Sequence, residues 1–183
     1  MISLADIDAA LLDGVRRGVT SAAFVAPLRD SIARGTDVRQ RSALPGHVTC
    51  GALILSPAGK LLLVRHNALG RWLTPGGHLE ADDESLYAAA LREVREEVGL
   101  RADQLWTPAH TLAAPAQIDR HPIPANARKG EAAHDHWDFR FLFLLRDAEA
   151  LTLQTDEISA ARWADPAEAD DSIARLLIPM LRR

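Results

Sequence analysis

Three glutamates, Glu93, Glu96 and Glu97, fall within five residues in the stretch LREVREEVGL (91–100), interleaved with Arg92 and Arg95. On a helix with Glu93 at zero, Glu96 and Glu97 project at about −60° and +40°. An apolar stripe of Tyr87, Leu91, Val94 and Val98 occupies another side, at about 100–160°. The three carboxylates are therefore expected to project together, away from the face that buries. Their repulsion raises their pKa values unless a cation neutralises them. A hard divalent ion with oxygen ligands fits, and Mg²⁺ characteristically takes one or two protein carboxylates plus substrate phosphates. Arg92 stands four residues before Glu96, where it can pair with and orient that carboxylate. A solvated, charged helix face would carry the same residues, and this stretch alone does not separate the two readings.

The preceding residues do. Pro75-Gly76-Gly77 interrupts the chain between a short β-rich run, RWLT (71–74), and the helix, predicted over about 83–98 with Gly99 as its stop. Such a turn lets the backbone approach a ligand closely. The stretch GGHLEADDESLYAAALREVREEVGL (76–100) resembles the signature of the Nudix hydrolases, Gly-x5-Glu-x7-Arg-Glu-U-x-Glu-Glu-x-Gly-U with U aliphatic. From Glu84 to Leu100 every position agrees; the one departure is an extra residue, since six (78–83) separate Gly77 from Glu84. The resemblance implies cleavage of the diphosphate linkage in a nucleoside diphosphate joined to another moiety, with Mg²⁺ or Mn²⁺. It implies Glu96 and Glu97 as metal ligands, and Glu93 as a third ligand or as the group that deprotonates the attacking water. Arg92 is implied as the residue that holds a ligand carboxylate in place. Gly77 is implied as a carbonyl ligand to the metal, at a position that the extra residue shifts.

Substrate-binding candidates lie elsewhere. In HDHWDFR (134–140), a strand places His134, His136, Asp138 and Arg140 on one face and Trp137, Phe139 and Phe141 on the other. The aromatic face suits a core. The polar face could serve catalysis, metal or phosphate, or could simply be solvated. Arg65 at a strand end could touch substrate, and Arg120, Arg128 and Lys129 could steer a phosphorylated one. Residues 113–135, with three prolines and no sustained period, read as a long loop.

The scaffold must hold these groups. Residues 3–34 read as helical with Ser3 as N-cap, split in two at Gly14 and Pro27 and closed by Gly35. Runs at 47–56, 60–66, 136–146 and 158–164 read as strands, and the last residues as a helix. Strands and helices in this order, with the resemblance, imply an α/β fold: a Nudix-like α/β/α sandwich with a mixed sheet over 45–183, preceded by a helical arm over 1–44.

The 183 residues are 48% hydrophobic and 25% charged, enough for a real core. A net charge of −4 argues against nonspecific binding to nucleic acid or anionic membrane. The single Cys50, among apolar residues, excludes an intramolecular disulfide and any cysteine zinc cluster. The N-terminus lacks a basic region before an apolar stretch, so a cytoplasmic protein is expected, with a small-molecule diphosphate as partner and a homodimer compatible. Two other functions stay open: a non-cleaving sensor of a nucleotide-like ligand, and an isopentenyl-diphosphate-type isomerase, which looks for a reactive cysteine.

Overall fold

The computed structural model describes residues 1–108, 114–127, 130–147 and 151–182. Two helices open the chain, α1 (Leu4–Arg16) and α2 (Ala22–Ala33). Ser3 caps α1 as expected. Its Oγ accepts the Asp6 amide at 3.1 Å, and Asp6 Oδ2 accepts the Ser3 amide at 2.8 Å, satisfying donors that have no partner within the helix. The break falls later than expected. Gly14 stays inside α1, where an added Cβ would stand 2.8 Å from Ile118 Cδ1, and the chain turns at Gly18 with φ 70°. Pro27 sits within α2, and Gly35 follows its C-cap.

Among the described residues eight strands follow: β1 (Gly46–Leu55), β2 (Leu61–His66), β3 (Arg71–Leu73), β4 (Gly76–His78), β5 (Leu105–Trp106), β6 (Gln117–Ile123), β7 (His134–Leu145) and β8 (Ile158–Ala164). Helix α3 (Leu86–Val98) lies between β4 and β5, and α4 (Asp171–Leu181) comes last. The hydrogen-bonded order is β3-β2-β1-β7-β5, with β4 beside β1, β6 beside β7 and β8 beside β2. No helix among the described residues is long and apolar enough to cross a membrane.

The segment read as a loop contains β6. Its seven residues pair antiparallel with β7, from Gln117↔Arg140 to Ile123↔His134. Pro122 lies inside the strand, and Ile118 is its single buried residue, so no apolar alternation announced it. Helix α3 also begins later than expected, at Leu86, because the Ser85 hydroxyl accepts the Ala88 amide at 3.0 Å and caps the first turn. Asp83, expected as the first helical residue, is buried and accepts the Glu80 amide at 2.7 Å.

The chain forms two compact units. The first comprises residues 1–51, 77–90 and 110–141. Here Arg29 pairs with Asp8 at 2.6 Å across α1 and α2, and Arg17 donates to the Pro115 carbonyl at 3.2 Å. Trp137, Phe139 and Phe141 are buried, with Tyr87 edge-on to Phe141 at 5.6 Å. The second unit comprises residues 52–76, 91–109 and 142–183. Its strand β2 pairs antiparallel with both β3 and β8, and its apolar residues Leu61 to Val64 are all buried.

The end of α3 is fixed within the second unit. Gly99 adopts φ 73°, and its amide donates to the Arg95 carbonyl at 3.1 Å. The chain beyond runs back alongside: Thr152 donates to the Val98 carbonyl at 3.0 Å and Gln154 to the Glu97 carbonyl at 3.1 Å. A Cβ at Gly99 would meet Thr152 Cβ at 2.8 Å and its carbonyl at 3.1 Å. Positive φ and backbone crowding act together, so Gly99→Ala is expected to cost about 1–3 kcal/mol, read as a lower urea midpoint. An unchanged midpoint would show that this helix end tolerates a side chain.

Candidate functional site: a buried carboxylate cluster on α3

Two of the three glutamates do not face solvent. Glu97 is 6% exposed, and its Oε2 accepts the Gly76 amide at 3.1 Å. The Glu93 side chain is 13% exposed, whereas that of Glu96 is 51% exposed. The expectation that all three project away from the burying face is thus corrected for Glu93 and Glu97. The cause lies in the small residues: Ala89 and Ala90 are fully buried and extend the inward arc of α3 past the stripe of larger side chains. Glu93, three and four residues further on, continues that same side.

Arg92 holds the cluster together. Its Nη1 donates to Glu96 Oε2 at 2.9 Å, the pair expected from the spacing, and to Glu93 Oε1 at the same distance. Burial pushes the Glu93 carboxyl up to about 7, against the pull of Arg92. Burial first, then the Glu93 charge, pushes Glu97 up to about 8, with the Gly76 amide opposing. At neutral pH these groups therefore keep protons that ordinary glutamates have lost.

A fourth carboxylate joins them that sequence reasoning missed. The charge of Glu157 raises both Glu93 and Glu97. Glu157 is exposed and sits just before β8, in a turn where Gln154 Oε1 accepts the Asp156 and Glu157 amides at 2.9 and 3.1 Å. The Gln154 amide is in turn bonded to the Glu97 carbonyl, which ties this turn to α3. Nothing periodic marks Glu157, and only the return of the chain along α3 reveals it.

In the first unit, β7 presents the expected polar face, and β6 extends it. Arg140, 7% exposed, donates from Nε to Asp138 at 2.7 Å, from Nη1 to Gln117 at 3.0 Å and from Nη2 to Asp119 at 3.2 Å. Thr49 adds a hydrogen bond to Asp138 at 3.2 Å. The bond from His121 and the charge of Arg140 hold Asp119 below the usual carboxylate range. His134 and His136 are grouped with His47 and His78, two histidines that the sequence reading did not single out. Burial, then the neighbouring imidazoles, lower His136 to about 3, and burial with the His134 charge lowers His47 to about 4.

The remaining candidates are scattered. Arg65 is exposed on β2, paired in register with Trp72. Gly77 is half-buried in β4, next to the Gly76 that binds Glu97. Arg120 pairs with Asp135 at 2.7 Å and lies over the Trp137 ring. Arg128 and Lys129 lie outside the described residues.

The α3 cluster suits a hard divalent cation. Its donors are all carboxylate oxygens, two of them buried against like charge, and Arg92 supplies a single positive group to the set. The comparisons agree with this chemistry. The sequence profile of the NUDIX domain matches residues 45–182. Phosphatase NudJ of Escherichia coli (strain K12) is 33% identical over 127 residues, covering 67% of this chain and 70% of its own. The Probable DHNTP pyrophosphohydrolase of Lactococcus lactis is 33% identical over 91 residues, half of each chain. Among solved structures, the E. coli dihydroneopterin triphosphate pyrophosphohydrolase superposes with TM-score 0.55 at 19% identity, covering 72% of this chain and 95% of that one. The C. elegans Ap4A hydrolase binary complex gives 0.52 at 22% identity, covering 74% and 95%. This chain belongs to the Nudix hydrolase superfamily, with the α/β fold and mixed sheet of that family. Members act on pyrophosphate bonds and characteristically work with a divalent metal.

Proposed function

We propose that this protein hydrolyses the diphosphate linkage of a nucleoside diphosphate joined to another moiety, with Mg²⁺ or Mn²⁺ held by Glu93, Glu96 and Glu97. The observation that carries this reading is the pair of buried, mutually repelling carboxyls at Glu93 and Glu97 inside the family motif. A side chain kept only for solubility has no reason to be placed there. When bound, the metal neutralises diphosphate oxygens and lowers the pKa of water.

The chain's own residues do the rest. Arg92 fixes the Glu93 and Glu96 carboxylates relative to one another, and the Gly76 amide fixes Glu97. Glu93 is either the third of these ligands or the group that takes the proton of the attacking water. Glu157 adds negative charge on the same side, raising both Glu93 and Glu97. Arg65 and the β7 face, His134, His136, Asp138 and Arg140, remain the substrate-side candidates, with Arg140 acting through its two aspartates.

The full burial of Cys50 speaks against the reactive thiol of an isomerase. The names of the relatives put dihydroneopterin triphosphate and Ap4A on the panel to assay, and nucleoside triphosphates, nucleotide sugars and ADP-ribose complete it. With Mg²⁺ or Mn²⁺ present, phosphate release after phosphatase coupling is expected from at least one member. Glu157→Gln is expected to lower kcat about 10- to 100-fold with KM little changed, as a lost proton-handling or ligand-orienting group would. Unaltered kcat in this variant removes Glu157 from the site.

A further inference from the structure

We infer that His47, His134 and His136 form a second metal site, built of imidazoles and suited to a borderline transition cation such as Zn²⁺, Co²⁺ or Ni²⁺ rather than Mg²⁺. The first observation is proximity. One ring nitrogen from each of the three lies within 4.8 Å of the others. The His47 ring is centred 4.8 Å from His134 and 4.7 Å from His136. Tetrahedral zinc with nitrogen ligands needs nitrogens about 3.3 Å apart, a closure within reach of side-chain rotation at His134 and His136. Both are only half-buried.

The second observation is an unmet demand. His47 is 1% exposed, and neither its Nδ1 nor its Nε2 has a hydrogen-bond partner. The Ala43 backbone weakly favours the charged ring but lies outside hydrogen-bond geometry. A buried ring with both nitrogens unpartnered is costly unless something binds it. The third is orientation. His134 donates from Nδ1 to the Ala132 carbonyl at 2.8 Å, leaving Nε2 as the lone-pair nitrogen. A backbone carbonyl on the far nitrogen is the usual support of a metal-bound histidine.

The backbone explains why the three meet. Asp135 donates its amide to the Pro45 carbonyl at 2.9 Å, and a Cβ at Gly46 would stand 2.5 Å from the Asp135 carbonyl. Glycine at this position lets the start of β1 press against β7 midway between His134 and His136. The next residue, His47, then stands against both rings as the third corner of a triangle, with His134 and His136 themselves 5.2 Å apart. His78, with its ring 5.1 Å from both His47 and His136, closes another side. Imidazole donors select the borderline cations, whereas the oxygen donors of α3 select hard ones.

The test uses the untagged full chain. Zn²⁺ binding is measured by calorimetry, and Co²⁺ serves as an optical probe through its ligand-field absorption. One Zn²⁺ per chain is expected at this site, beyond any taken up by the α3 carboxylates, with Co²⁺ showing the intense bands of a low-coordinate nitrogen site. His134→Ala/His136→Ala changes two half-exposed residues and avoids the buried His47. It is expected to weaken Zn²⁺ binding about 100-fold or more. It should also remove the part of the Zn²⁺-induced rise in Tm that survives Glu97→Gln. Glu97→Gln is expected to leave the binding at the histidines intact. Absence of Zn²⁺ binding, undiminished binding in the double variant, or loss of binding in Glu97→Gln alone would each overturn the assignment.

Discussion

Glu97→Gln is expected to lower metal-dependent hydrolysis by about a thousandfold or more while leaving the protein folded. The amide keeps the size of the carboxyl and its oxygen can still accept the Gly76 amide, so the local geometry survives. What disappears is the negative charge that a divalent ion would neutralise. The same change has a second, opposite effect. In metal-free protein near pH 8, burying an amide costs less than burying a carboxylate beside Glu93, so Glu97→Gln should raise Tm. A variant that loses both activity and stability would instead mark Glu97 as a structural residue. Full turnover by a folded variant would remove it from the site.

The second large effect is the dependence of stability and metal uptake on pH. Glu93 and Glu97 have folded-state pKa values of about 7 and 8, above the ordinary 4.5. Between these limits the folded chain holds more protons than the unfolded chain, so stability falls as pH rises. This contribution is fully present below the ordinary glutamate pKa and is gone once pH passes the raised values. A carboxyl whose pKa rises by one on folding contributes about 1.4 kcal/mol. Coupling between the two groups and relaxation reduce the sum. Below about pH 6.5 the buried His47 and His136, which gain protons on unfolding, act in the opposite direction, so a drop in Tm of about 5–10 °C is expected for the metal-free protein between pH 7 and 9. Mg²⁺ or Mn²⁺ must displace the same protons. Its affinity should therefore climb through the same window, with proton release seen as a buffer-dependent heat. Scanning calorimetry at several pH values, with and without Mn²⁺, checks both signs. A metal-free Tm that rises with pH through this range would contradict the burial of these carboxyls.

The α3 motif was legible because its chemistry sits in consecutive residues, and the spacing fixed both the Arg92–Glu96 pair and the stop at Gly99. The inward turn of Glu93 and Glu97 was not, because Ala89 and Ala90 count as weakly apolar in a pattern yet bury completely on a helix. The polar face of β7 was readable from alternation alone. Its continuation on β6 was hidden by Pro122 and by a strand whose side chains serve Arg140 and the histidines instead of a core. His47 escaped notice for the reverse reason: it lies at the head of a strand that is buried from end to end. Glu157 required the chain to fold back along the end of α3, a contact between residues about sixty apart that no local pattern encodes.

The most direct test separates the carboxylates from the imidazoles. Mn²⁺ is titrated into His134→Ala/His136→Ala protein at about pH 7.5, with and without Glu97→Gln, and followed by the loss of free-ion EPR signal. Saturable uptake that vanishes with Glu97→Gln is the predicted result. No uptake by either protein, or equal uptake by both, would contradict a divalent-metal centre on α3.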